Sequence, residues 1–150
     1  MSQWNSMDEV LDFAIAREQE AVDFYSGLAA QAEVPARQEL LAGFAEEERG
    51  HKAKLLGVKA GGGLVRERKK VADLKIADYL VAVEPRPGMS YPEILVVAMK
   101  REKAAFKLYT HLAGIASDPR IAALFLSLAQ EEAKHKLRFE MEYDDYLTED

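Results

Sequence analysis

The sequence predicts an all-α protein built from two helical hairpins joined by a long crossover. Four segments carry apolar residues at the spacing of an amphipathic helix. They cover about residues 6–33, 35–57, 90–116 and 119–147. Helices joined by such short turns pack antiparallel. The second pair repeats the first in a fixed register, so we expect two similar hairpins within one domain, residues 1–150.

Capping residues mark where the predicted helices begin. They are Ser6 with Glu9, Pro35, Ser90 with Glu93, and Asp118 with Pro119. The Ser-x-x-Glu spacing is that of a capping box, and proline is tolerated in a first helical turn. Gly57 and the glycines at 61–63 are predicted to end the second helix.

The connection over about residues 58–89 is too long for a tight turn. It can cross from one end of a helical bundle to the other. Residues 71–83 within it are predicted to form a short helix, which Pro85 and Pro87 would stop.

Composition excludes several classes of protein. The net charge is −6, and the one basic cluster, at 66–70, is short, so we expect no nucleic-acid surface. The absence of cysteine excludes disulfides and thiolate metal sites in this chain. No apolar run reaches the roughly 20 residues needed to span a membrane, and no secretory signal is visible. A cytoplasmic location is therefore expected.

One arrangement of carboxylates and imidazoles occurs twice in the chain. Each half has a glutamate on its first helix and a Glu-x-x-His motif on its second. The residues are Glu18, Glu48 and His51, repeated in the same register as Glu102, Glu132 and His135. The repeat predicts a pseudo-two-fold axis, with equivalent ligands reaching one centre from opposite sides.

These residue types at this spacing favour a dinuclear metal site. Residues three apart lie on the same face of a helix, so Glu48 and His51 can approach one ion together. Glu18 and Glu102 stand in apolar stripes, where a lone carboxylate would be costly to bury. Two divalent cations would neutralise the four carboxylates, and mixed oxygen and imidazole ligation suits iron or manganese.

Other polar residues near these motifs have more than one interpretation. Tyr25 and Tyr109 lie two helical turns after Glu18 and Glu102. Each either packs in the core or donates a hydrogen bond to a ligand carboxylate. Glu47 and Glu131, beside the ligand motifs, are predicted to face solvent or to lie at the rim of their helices. His111 is predicted to be a surface histidine and Trp4 to pack on the first helix.

At the six ligand positions the chain resembles the ferritin-like superfamily, and within it the rubrerythrin-type diiron domain. The resemblance implies a ferritin-like four-helix bundle that holds two iron ions, with manganese as the alternative metal. It implies that Glu18 and His51 serve one iron, Glu102 and His135 the other, and that Glu48 and Glu132 bridge them. The implied activity is reduction of hydrogen peroxide or dioxygen, and the implied assembly is a homodimer.

The chain departs from the rubrerythrin pattern at two points, and a third position separates it from the bacterioferritins. It lacks the cysteines of a rubredoxin domain, so electrons must come from a separate donor such as a rubredoxin-like protein. Ala105 stands where rubrerythrins carry an additional glutamate, which keeps open an alternative function as a ferritin-type ferroxidase. Arg49 stands where bacterioferritins carry a haem-ligating methionine, so no haem is expected.

Overall fold

The computed structural model describes residues 7–61 and 88–148, and within these ranges all regular structure is helical. The four helices are α1 (Met7–Gln31), α2 (Pro35–Gly61), α3 (Tyr91–Ile115) and α4 (Pro119–Thr148). The all-α prediction is confirmed.

The helices form two compact units, each of which is a helical hairpin. In the first unit α1 packs along α2, and in the second α3 packs along α4. The connections within the hairpins span only 32–34 and 116–118, as the short turns predict.

Capping groups in the second hairpin form the hydrogen bonds that the sequence predicts. The Ser90 hydroxyl accepts from the Glu93 backbone N–H at 3.3 Å, and the Ser90 N–H donates to Glu93 Oε1 at 3.0 Å. Before α4, Asp118 Oδ1 accepts from the Arg120 N–H at 2.9 Å. This bond stabilises the ionised carboxylate and lowers the pKa of Asp118.

Gly57, the first predicted stop signal of α2, does not end the helix. The helix continues past Gly57 as far as Gly61, the last residue described in this hairpin. Val58 explains the extension, because it is buried in the core at 8% exposure. A glycine inside a helix lowers stability by about 1 kcal/mol, and burial of a valine side chain stabilises the fold by more than that.

The apolar stripes form the core of each hairpin, with one exception on α3. Helical spacing predicts Phe106 on the buried face, but it is 40% exposed, whereas Val97 and Leu108 are buried. Phe106 and Leu108 lie about 160° apart around a helix axis. The buried face of α3 is therefore turned toward Val97 and Leu108, which leaves Phe106 at its edge.

Some predictions lie outside the described residues: the crossover helix at 71–83, the basic cluster at 66–70, the Ser6 cap and the packing of Trp4. Among the four described helices, none has the length and apolar character needed to cross a membrane.

Candidate metal centre

The first hairpin brings its three predicted ligands together in the core. Glu18 comes from the middle of α1, and Glu48 and His51 come from one face of α2. All three are buried, with 2%, 1% and 4% of their surface exposed. His51 Nδ1 lies 3.7 Å from Glu18 Oε2 and 3.3 Å from Glu48 Oε1. We refer to these three residues as the first cluster.

The second hairpin repeats this geometry. Glu102 on α3 faces Glu132 and His135 on α4, and all three residues are buried. His135 Nδ1 lies 3.6 Å from Glu102 Oε2 and 3.4 Å from Glu132 Oε1. These three residues form the second cluster. The repeat in the sequence is therefore also a repeat in the geometry of the ligands.

On its own helix, each inward glutamate lies between two alanines, whose side chains are small and apolar. Ala14 and Ala21 lie one turn before and one turn after Glu18, and Ala98 and Ala105 have the same relation to Glu102. Amphipathic periodicity thus turns both glutamates into the core together with their apolar neighbours. A buried carboxylate in such surroundings requires a compensating positive charge.

The pKa of His51 shows how strongly the first cluster favours positive charge. Burial by itself lowers the pKa of an imidazole. The contacts with Glu18 and Glu48 outweigh this effect and raise the pKa of His51 from 6.5 to about 9. The two carboxylates thus favour a positive charge at this position, and a bound cation would supply it in place of a proton.

The donor set of each cluster fits a divalent metal ion. In each cluster the potential ligand atoms, two carboxylate oxygens and one imidazole nitrogen, lie within 4.8 Å of one another. Mixed oxygen and imidazole donors suit iron or manganese, whereas the absence of thiolates disfavours a structural zinc site. The six residues that the sequence nominates as ligands are thus buried and grouped as a metal requires.

Both tyrosines are buried among aromatic rings of their own hairpin. The Tyr25 ring lies 5.7 Å from that of Phe44 at an angle of 42°. Tyr109 and Phe125 are 6.5 Å apart and nearly parallel, at 12°. The packing role is confirmed, and a hydrogen bond from either hydroxyl to a ligand carboxylate stays a prediction.

The neighbouring polar residues lie where the helical periodicity predicts. Glu47 and His111 are exposed and Glu131 is half-buried. One contact near the first cluster was not predicted: Lys52 Nζ donates to Gln19 Oε1 at 2.6 Å and links α2 to α1. Each of these two residues directly follows a ligand in the sequence. That adjacency is the only sequence signal for the link.

Comparison with known proteins agrees with this geometry. A family model described as rubrerythrin matches residues 9–80 and 93–149, which include all six ligands and both tyrosines. No curated protein and no solved structure gives a significant match. The family match and the buried carboxylate and imidazole clusters together indicate a binuclear metal site in a ferritin-like four-helix protein. With most of its length matched, the chain belongs to the rubrerythrin family.

Proposed function

We propose that this protein is a non-haem diiron oxidoreductase that reduces hydrogen peroxide to water. The observation that carries the proposal is the duplicated cluster. Both hairpins hold two buried carboxylates against one imidazole, with His51 distances of 3.7 and 3.3 Å and His135 distances of 3.6 and 3.4 Å. Two equivalent sites suit a reaction that consumes two electrons, one from each ion.

Within this proposal each ligand has a defined role. By the family resemblance, His51 with Glu18 would hold one ion and His135 with Glu102 the other, and Glu48 and Glu132 would complete the ligand set. Bound iron would supply the two electrons that reduce peroxide, and two protons from solvent complete two molecules of water. The apolar residues around the clusters exclude bulk water, which strengthens every electrostatic interaction inside.

The remaining parts of the proposal concern partners and compartment. With no cysteine in its 150 residues, the chain has no thiolate-bound redox centre to return electrons to the clusters. A separate donor, such as a rubredoxin-like protein, therefore completes the cycle. A homodimer is proposed from the family resemblance, and a cytoplasmic location is proposed because a chain without cysteine fits a reducing compartment. A particle near twice 16.8 kDa would support the dimer, and a shell of many subunits would contradict it.

The test is single-turnover oxidation of protein loaded anaerobically with ferrous iron. Samples are mixed separately with peroxide and with dioxygen, and the growth of ferric absorbance is followed. The proposal expects much faster oxidation by peroxide. Comparable or faster oxidation by dioxygen would instead favour the alternative, a ferroxidase that handles iron. Ala105, at the place of the additional rubrerythrin glutamate, leaves this alternative open.

Matched variants connect this reaction to the clusters. Replacing both Glu48 and Glu132 by glutamine removes two ligand charges and should reduce both iron content and peroxide turnover severely. The control replaces Glu39 and Glu46, which are both exposed on α2, by glutamine. It removes the same number of charges and should retain both properties. Full iron content and turnover in the Glu48/Glu132 variant would refute the proposed function.

A further inference from the structure

The outer surface of α3 carries three lysines in a row. Lys100, Lys103 and Lys107 are all exposed, and their spacing of three and four positions places them on one side of the helix. We call this surface the lysine face. It is a concentration of positive charge on a protein whose net charge is −6.

The charge of the lysine face is not neutralised by its own helix. The acidic residues of α3 are Glu93, in the first turn, and the buried ligand Glu102. None of the three lysines forms an ion pair with another residue in the described ranges. Basic side chains on α4 behave differently and pair with an acid nearby, as Lys136 does with Glu140 at 3.1 Å.

The first hairpin provides an internal comparison. In the register that aligns Glu18 with Glu102, the three lysines correspond to residues of α1, which are Ala16, Gln19 and Asp23. These α1 residues carry one negative charge, whereas the lysine face carries three positive charges. Nevertheless the ligand distances of the two clusters agree closely, at 3.7 against 3.6 Å and 3.3 against 3.4 Å. Building a cluster therefore does not require the lysines.

The lysine face also lies close to the second cluster. Lys103 directly follows the ligand Glu102, and Lys100 and Lys107 extend about one turn to either side. An α-helix with its side chains is about 10–12 Å across. A partner seated on the lysine face would thus be separated from the second cluster by about the thickness of one helix.

We propose that the lysine face docks a small acidic protein that carries a one-electron redox centre. The inference rests on the proposed function, because peroxide reduction consumes two electrons that this chain must recover. Two successive donor molecules each lose one electron, and together they restore the pair consumed per peroxide. Charge complementarity selects an acidic partner and speeds its encounter with the lysine face. Nucleic acid fits less well, since the rest of this acidic protein would repel it.

The test measures docking separately from turnover. The probe is an oxidised rubredoxin of acidic net charge, titrated at low salt into the diferric protein, so that no electron is transferred. The triple variant Lys100→Glu, Lys103→Glu and Lys107→Glu should bind the probe at least about tenfold more weakly. It should also lose the steep salt dependence of the unmodified protein. Lysine and glutamate have similar helix propensity, so α3 should remain folded.

A control with the same change in net charge tests the location. Lys54→Glu, Lys134→Glu and Arg138→Glu alter exposed residues of α2 and α4. Compared at about 0.15 M salt, where the screening length is about 8 Å, this control should leave binding within about twofold. An equal loss in this control, or full binding by the lysine-face variant, would overturn the proposal. So would tighter binding of a short DNA duplex that the same lysine substitutions abolish.

Turnover with a small-molecule reductant distinguishes the two proposals. With ascorbate in place of the rubredoxin, the lysine-face variant should reduce peroxide at the unmodified rate. Failure of the unmodified protein in this assay would reject the proposed function while leaving the docking measurement valid.

Discussion

In both hairpins a phenylalanine ring packs near the buried tyrosine, Tyr25 in the first and Tyr109 in the second. The phenylalanine and a neighbouring leucine occupy opposite positions in the two hairpins. On α2 the pair is Leu41 and Phe44, and on α4 the corresponding pair is Phe125 and Leu128. All four residues are buried. Phe44 is tilted against Tyr25 at 42°, whereas Phe125 is nearly parallel to Tyr109 at 12°.

This exchange shows which parts of a hairpin can vary. Each hairpin keeps one phenylalanine and one leucine, so the total volume is the same although the rings meet at different angles. Cores tolerate such changes when volume and pattern are kept. The two clusters show no such exchange. Their candidate ligands have the same types in the same order, and their distances agree closely. The candidate ligands are therefore matched position by position between the hairpins, whereas the packing around the tyrosines is matched only in total volume.

The largest expected effect tests whether the two clusters are equivalent. His51→Ala and His135→Ala should each lower the affinity for one metal ion by at least about 100-fold, because even outer partners of metal ligands cost roughly 10–100-fold. Calorimetric titration with manganese, checked by metal analysis, measures the loss for each variant. His111→Ala, at an exposed histidine outside both clusters, is the control and should bind normally. If either variant still bound as much metal as the unmodified protein, the two clusters would not be equivalent metal sites.

A smaller effect tests the exchange of phenylalanine and leucine. Leu41→Phe alone overpacks the first hairpin and should lower the free energy of unfolding by about 1–3 kcal/mol. Phe44→Leu alone removes buried volume and should cost a comparable amount. The double variant copies the order of the second hairpin, so its cost should fall below about 1.5 kcal/mol. Urea unfolding of all three variants measures the coupling, and strictly additive losses would contradict a shared volume.

The smallest effect concerns the helix caps. Ser90→Ala removes the hydroxyl that accepts from the Glu93 N–H and should cost about 1 kcal/mol of unfolding free energy. Ser6→Ala makes the same change at the matching position of the first hairpin. A similar loss there, measured by thermal unfolding, would extend the repeat to the start of α1. No loss at Ser90 would mean that the start of α3 is held by other contacts.

Much of the candidate site could be predicted from the sequence because ligands and caps depend on local spacing. Glu48 and His51 share a face wherever residues 35–57 are helical, and the internal repeat identifies Glu18 and Glu102 as the partners of the two motifs. The capping box at Ser90 follows from four consecutive residues. These features need no knowledge of how distant segments pack.

Other features depend on contacts that periodicity does not describe. Gly57 is a stop signal by composition, yet α2 continues because Val58 finds a place in the core. Phe106 has the right spacing for the buried stripe of α3, yet the helix turns Val97 and Leu108 inward instead. For Gly57, burial of the adjacent valine outweighs a local preference of about 1 kcal/mol against glycine in a helix. For Phe106, the packing of the whole helix face decides which side is buried.

The sequence by itself determined the helical class, the duplicated hairpin and the choice of six candidate ligands, because each follows from the spacing of residue types along a helix. Only the tertiary structure decided that α2 continues past Gly57, which side of α3 is buried, and how the rings of Phe44 and Phe125 meet the tyrosines. Those outcomes depend on the rotation of one helix against another. That rotation is set by the fit of many side chains at once, so no single segment encodes it.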